Sequence, residues 1–453
     1  MGDDVSETGE RRRTLECRGT PTASLTFATL FLGLIVGVRP IEVVATGPVA
    51  DVAFEIDGRE VARVFDRPYR QPLDFGEEYA PHELVARAHD AKGKEIALAR
   101  QWINLPRPPA EVQIVLEKDK SGKAVAVSLA WASRMGPRPT GVELTFDGRA
   151  LAVDAARHAR LPDYDASLPH VVTAGVEFPG GLYGRADRVL GGGTADEAGS
   201  ELTAVPVRGP DGRPPSVESL QGRFRKNGEA LRVVAVEHGP ALVLLVRDPA
   251  ENKEAFRRFG PYDHDLARIE TRLEIDDRIQ LVWPLATEVP DQSASNVLFD
   301  TSGIIHGVNT NFLFALQQPG SAAAGTSERR FADAVAVAGV SAAANGSRRA
   351  VVLVLGEGDE DHSRRTAGSI RRYLERIHVP LYVWSLARDK PPKVPPAAEW
   401  EGFEDISTVG KLHVAASRVQ NDLMRQSIVW IEGRHLPQDI TIADTGDGFG
   451  IAR

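Results

Sequence analysis

RRAVVLVLGEGDEDHS, residues Arg348–Ser363, decides the fold of this chain. Its basic pair leads into Ala350 and the unbroken apolar run VVLVL, which stops at Gly356 before an acidic, polar loop. A run of this kind, with no polar alternation and a turn signal at its end, predicts a strand buried on both faces. Strands of that type build parallel sheets with crossover helices, and such sheets place ligands in the loops at the carboxyl ends of their strands.

The neighbouring segments fit the same pattern. ERRFADAVAVAGVSAAA (Glu328–Ala344) and Arg364–Ile377 have helical spacing, and Ser363 is the expected N-cap of the second. Strands are expected at RVVAVE (Arg232–Glu237), ALVLLV (Ala241–Val246), RIQLVWPL (Arg278–Leu285), VPLYVWSL (Val379–Leu386) and SIVWI (Ser427–Ile431). Further helices are expected over Asn252–Phe259, Asp265–Leu273 and Thr408–Leu423. Trp283 and Trp384 fall on buried strands and read as core, whereas Trp400, in a loop after a Pro-rich stretch, reads as a contact residue.

Upstream, the chain reads as short strands and turns, and two of its landmarks repeat. VAFEIDGREVA (Val52–Ala62) matches VELTFDGRALAV (Val142–Val153), and PHELVARA (Pro81–Ala88) matches PHVVTAGV (Pro169–Val176). Two landmarks in the same order, offset by about 90 residues, indicate an internal repeat. Asp-Gly between β-rich flanks is a hairpin signal, and a unit of short strands of this length reads as a β-sandwich. His82 and His170 recur with the repeat, which favours a structural role for both. The expected organisation is a disordered or targeting segment (1–24), a sandwich (25–105), a second sandwich (110–193), a linker (194–230), an α/β domain (231–440) and a tail (441–453). The fold class is therefore multidomain: two all-β, Ig-like sandwiches followed by a doubly wound α/β domain with a mainly parallel sheet.

Composition narrows the function. With 453 residues and 42% hydrophobic content the chain can bury several cores. A formal net charge of -9 argues against a nucleic-acid partner, because backbone binding needs a basic face. The single cysteine, Cys17, excludes an intrachain disulfide and a cysteine-based zinc site. The eleven histidines are dispersed and contain no H-E-x-x-H pair, and neither a phosphate loop nor a G-x-S-x-G elbow occurs. Arg11–Arg13 followed by LTFATLFLGLIVGV (Leu25–Val38) has three readings: a first strand, a secretory signal or anchor, and a membrane helix. Membrane association is expected only through this segment.

The segment before Leu105–Pro109 resembles bacterial Ig-like domains in its Asp57-Gly58 hairpin, its Arg67-Pro68-Tyr69 stretch and the strand running into AHDAKGKE. Residues from about 231 to 440 resemble a von Willebrand factor type A (VWA) domain in its bacterial VWFA-related form, in element order and in the phrase RRAVVLVL followed by glycine and acids. The resemblance implies a divalent-ion site at the carboxyl edge of the sheet, with a first loop D-x-S-x-S, a distant Thr and a second Asp as hard oxygen ligands for Mg²⁺. Here that loop is Asp248-Pro249-Ala250-Glu251-Asn252, Arg329 falls near the place of the Thr, and Gly356 or Glu357 falls at the second Asp. With most of the ligand set lost, no metal or other cofactor is expected, and Asp248, Asn252, Glu357 and Asp359 are vestigial positions. Asp300-Thr301-Ser302-Gly303 also begins like the motif, but Ile304 stands where the second Ser belongs.

The expected function is non-enzymatic: protein–protein interaction or scaffolding, with no catalytic residues, in the bacterial envelope or outside it, a cytoplasmic location being the alternative. The expected partner is a protein, held along the carboxyl edge by Asp248, Glu251, Asn252, Asp300, Ser302, Glu357, Asp359 and Asp361. The alternatives are a Mg²⁺-dependent adhesion module that uses Asp248 with acids from the 357–361 loop, and a hydrolase with an unrecognised site.

Overall fold

The structure is a computed structural model. It describes residues 24–29, 31, 34–105, 110–119, 123–133, 138–168, 170–178, 182–191, 202–248, 271–288, 297–307, 310–318, 328–344, 346–356, 360–386, 399–443 and 446–453. Among the described residues the chain is mostly β-sheet, in seven sheets, one of them mixed and the others built on antiparallel pairs. It divides into two compact units. One holds the described residues within Met1–Leu30, Val38–Leu73 and Glu83–Gln101, and the other those within Phe31–Gly37, Asp74–His82 and Trp102–Arg453. The segments 31–37 and 74–82, expected to belong with the first sandwich, thus fold with the second unit. The reason is visible at Glu78, which pairs with Arg372 at 2.6 Å and Arg376 at 3.3 Å, and at Tyr79, whose ring meets Tyr373 edge-on at 5.8 Å.

The repeat is real at the level of strand order. In the first copy one sheet runs Arg59–Val64, Asp51–Ile56, His82–His89, Glu95–Ile103, and the other Ser24–Phe27, Val38–Thr46, Tyr69–Asp74. The second copy repeats both orders. One sheet is Arg149–Ala150, Gly141–Phe146, His170–Phe178, Leu182–Leu190, and the other is Ala110–Lys118, Ala124–Ser133, His158–Arg160. Asp57 and Asp147 both take positive φ (52° and 49°) ahead of Gly58 and Gly148, as a two-residue hairpin requires. The same carboxylates then reach across the sheet: Asp57 Oδ1 accepts from Glu83 N at 2.8 Å, and Asp147 Oδ1 from Val171 N at 2.9 Å. Asp-Gly and Pro-His therefore recur together because they are bonded together. His170 adds its own bond, Nδ1 to Asp147 Oδ2 at 2.7 Å, and stacks on Phe146. Of the apolar run Leu25–Val38, Ser24–Phe27 pairs with Val43–Thr46, so this part is a strand. Among the described residues no helix is long and apolar enough to cross a membrane.

The α/β domain is built on a six-stranded sheet in the order Val297–Thr301, Arg278–Glu288, Ala241–Arg247, Arg348–Leu355, Leu381–Ser385, Glu404–Asp405. All neighbours are parallel except the first pair. Numbered along the chain this is 3-2-1-4-5-6, the doubly wound order, with its switch point between Ala241–Arg247 and Arg348–Leu355. Alternate residues of these strands serve two cores. Val243, Leu245, Val352 and Val354 face Phe312–Gln317 and Val409–Met424, while Leu244, Val246, Val351 and Leu353 face Phe331–Ala344 and Ala367–Arg376. Helices on both sides explain the unbroken run VVLVL: burial of each such side chain contributes about 1.5–3 kcal/mol, and no position is left for a polar one. The two helices of the second face approach closely at Gly339, where a Cβ would lie 3.0 Å from Leu374 Cδ1.

Three expectations fail here. Val233–Glu237 and Gln426–Glu432 do not join the main sheet. They pair with each other and with Leu202–Arg208 and Gly450–Ile451 in a separate antiparallel sheet. The expected linker and tail are thereby folded, around a core of Val205, Val207, Leu220, Phe224, Val233, Val429, Ile431 and Ile440. Trp400 is not a surface contact residue: it is 2% exposed and packs into the second core. Trp283 and Trp384 are core, as expected. The helices expected over Asn252–Phe259 and Asp265–Leu273 lie outside the described residues, apart from the last three positions of the second, which are not helical.

One buried group makes stability depend on pH. His378 follows the helix Ala367–Arg376 at a positive φ of 55° and is 1% exposed. Burial, helped by the neighbouring Arg349 charge, pushes its imidazole down to about 3. The unfolded chain binds the proton that the folded chain refuses, so stability falls as pH drops below about 6.5, and the loss is complete near pH 3. Between pH 7 and pH 5 this amounts to about 2 kcal/mol. Urea unfolding at the two pH values should show that extra loss in the wild type and not in His378→Asn, a residue that tolerates the left-handed backbone.

Candidate functional site

The carboxyl edge of the sheet at the switch point is made by three segments: the end of Ala241–Arg247, the residues leading into the helix Phe331–Ala344, and the loop after Arg348–Leu355. Asp248 follows the first strand directly and is 2% exposed. Its carboxylate meets the Arg329 guanidinium, whose side chain is 38% exposed. Arg329 is fixed from both sides through its backbone: it bridges to Leu285, and its carbonyl accepts from His362 N at 2.8 Å. Arg247, also buried, lies over the Trp283 ring at 4.8 Å and donates to Gln318 O. Burial pushes its guanidinium down to about 9, so it remains charged at neutral pH.

The described part of the acidic loop turns back onto the protein. Asp361 accepts from Phe331 N at 2.9 Å and Ala332 N at 3.1 Å, and Ser363 Oγ accepts from Asp333 N at 3.0 Å. Asp333 Oδ2 accepts in turn from Arg364 N at 3.2 Å. Three otherwise orphaned donors of the helix N-terminus are thus capped by a loop about 30 residues away, with a carboxylate at the positive end of the helix dipole. Ser363 was expected to cap the helix after it; the structure gives that role to Thr366, whose side chain accepts from Ser369 N. Burial holds the Asp333 carboxyl above the ordinary range, and Asp361 nearby pushes the same way.

The other predicted edge residues are placed differently. Asp300 sits on the outer edge strand, with Arg278–Glu288 between it and Ala241–Arg247. Ser302 ties that strand's end to its neighbour: its Oγ accepts from Leu281 N at 3.0 Å and donates to Gly303 O at 2.7 Å. Glu251, Asn252, Glu357 and Asp359 lie outside the described residues. Among the described residues, no group of three or more His, Cys, Asp and Glu could hold a metal ion.

Sequence reasoning missed a second charged cluster, at the amino end of the same sheet. Arg348 is 2% exposed and donates to Gly239 O, to Leu423 O at 2.8 Å, to Glu274 Oε2 at 3.1 Å and to Asp277 Oδ1 at 3.0 Å. Asp277 also accepts from Ala241 N at 2.7 Å. The arginine pair at the start of the apolar run was the available signal, since an arginine buried at the start of such a strand needs partners.

No protein-family model matches the chain, and no curated protein matches it. Fibronectin(III)-like modules of Clostridium thermocellum CbhA are similar at 20% identity, over 17% of this chain and 92% of theirs, with a TM-score of 0.16. A β-glycosidase from Bacteroides vulgatus is similar at 14% identity over 38% of this chain, with a TM-score of 0.21, and this chain spans only 25% of its length. The central fibronectin-III array of RIM-binding protein is similar at 10% identity, over 44% of this chain and 80% of that one, with a TM-score of 0.19. Likenesses at these TM-scores carry no argument about function.

Proposed function

We propose that this chain is a non-enzymatic protein-interaction module, in which a VWA-like α/β domain has exchanged its divalent-ion site for an internal ion pair. The observation that carries the reading is the contact between Asp248 and Arg329. At the switch point, where a doubly wound sheet offers a ligand its best place, the carboxylate is buried and already neutralised by a cation of the same chain. Asp361, the one described acid of the following loop that reaches the helix, is engaged by backbone donors. An edge closed in this way fits recognition of a protein surface through shape and hydrogen bonds, without an ion bridging the two partners.

The experiment is thermal unfolding of the full-length protein with EDTA, Mg²⁺, Mn²⁺ and Ca²⁺. The melting temperature is expected to stay the same with every ion. Arg329→Ala should destabilise by about 1–3 kcal/mol, because the buried Asp248 then loses the cation that meets its carboxylate. A rise of about 2–4 °C with one ion, abolished by Asp248→Asn, would replace this reading with Mg²⁺-type adhesion.

A further inference from the structure

At the amino end of the six-stranded sheet, within the second unit, lies a cleft of about 870 Å³, inside the size range of ligand-binding clefts. One wall is the outer face of the second sandwich: Glu143, Thr145, Thr173, Gly175 and Arg185 lie on adjacent strands with the same parity, opposite to the core residues Leu144 and Ala174. The other wall is continuous from Val234 to Leu242. Side chains of a strand alternate between its faces, so consecutive residues of both parities border one space when the strand turns its edge to it.

That edge is free. Val233–Glu237 is the outermost strand of its sheet and pairs with Gln426–Glu432 on one side only. Its other side presents a row of backbone donors and acceptors, the template on which an extended peptide adds to a sheet. The charge of the cleft selects the peptide. Arg185 already pairs with Asp187 and Glu237, each at 3.1 Å, and Arg278 pairs with Glu177 at 3.2 Å. Glu143 and Asp276 also line the cleft, are exposed, and have no ion-pair partner among the described residues. The uncompensated charge is therefore negative.

We infer that this cleft takes an extended, basic segment of a partner protein as an added strand along Val234–Glu237, with its Lys or Arg side chains against Glu143 and Asp276. The site is at the opposite end of the sheet from Asp248, so it stands or falls separately from the ion-pair reading. The test is calorimetric titration of the full-length protein at low salt with a blocked peptide of alternating Val and Lys. A Val–Glu peptide is the control, and hydrogen exchange reads the amides of residues 234–237. The Val–Lys peptide is expected to bind and to slow exchange at those amides. The double variant Glu143→Lys, Asp276→Lys, with an unchanged melting temperature, is expected to bind about tenfold more weakly or worse. Failure of the Val–Lys peptide to bind, binding that leaves the 234–237 amides unprotected, equal affinity for the Val–Glu peptide, or undiminished binding by the variant would each overturn the inference.

Discussion

Arg348→Ala is expected to cost the α/β domain about 3–5 kcal/mol, the usual loss when one member of a buried ion pair is removed. Arg348 satisfies two backbone carbonyls, of Gly239 and Leu423, and the carboxylate of Asp277, itself 2% exposed. Burial already drives the Asp277 carboxyl above its ordinary range, and Arg348 is the cation that holds it down. Without the guanidinium, the buried carboxylate keeps only its bond from Ala241 N and has no counter-charge, and the carbonyls of Gly239 and Leu423 each lose a donor, at the point where three strands begin. Arg348→Met combined with Asp277→Leu should recover much of the loss, because replacing both charges by apolar groups removes the desolvation penalty too. Urea unfolding followed by the fluorescence of Trp283 and Trp384 reads both variants. A double variant as unstable as the single one would assign the loss to packing and not to the stranded charge.

Trp384→Ala should be comparably damaging, at about 3–5 kcal/mol. The ring is fully buried and meets Phe312 edge-on at 4.9 Å between centroids, in the core shared with Val409–Met424. Its Nε1 is buried with no hydrogen-bond partner among the described residues. The indole therefore contributes volume and edge contacts while carrying an unsatisfied donor. Trp384→Phe should accordingly cost only about 1–1.5 kcal/mol, far less than the alanine change. Equal losses in the two variants would mean that the donor does find a partner.

The two helix-covered faces were legible because VVLVL has no polar interruption, and burial on both faces is the physical condition that allows this. The sandwich repeat was legible because Asp57 and Asp147 do two jobs each, turning the hairpin and bonding to the strand after Pro-His. What escaped was pairing between distant segments. SIVWI has the same composition as a strand of the main sheet, and nothing local reveals that it pairs with Leu202–Arg208 instead. Ser363 has the residue type and position of a cap for the next helix, yet serves the previous one, since a side chain caps whichever free N–H groups the fold brings near. Trp400 was misplaced because its Pro-rich flank carries no periodicity to betray burial. At the candidate site, the order of the elements puts Arg329 near Asp248, but the meeting of the two side chains depends on the tertiary fold.

The pairing of Leu202–Arg208 with Gln426–Glu432 has a consequence for synthesis. The first strand leaves the ribosome more than 200 residues before the one that covers it. At about 5–20 residues per second that interval is on the order of 10 to 40 s. Throughout it Val205 and Val207 have no partner strand, while the six-stranded sheet between them and their mates is being completed. This short stretch is where a nascent chain would need a chaperone, and where a ribosome stalled before residue 426 would leave a sticky edge.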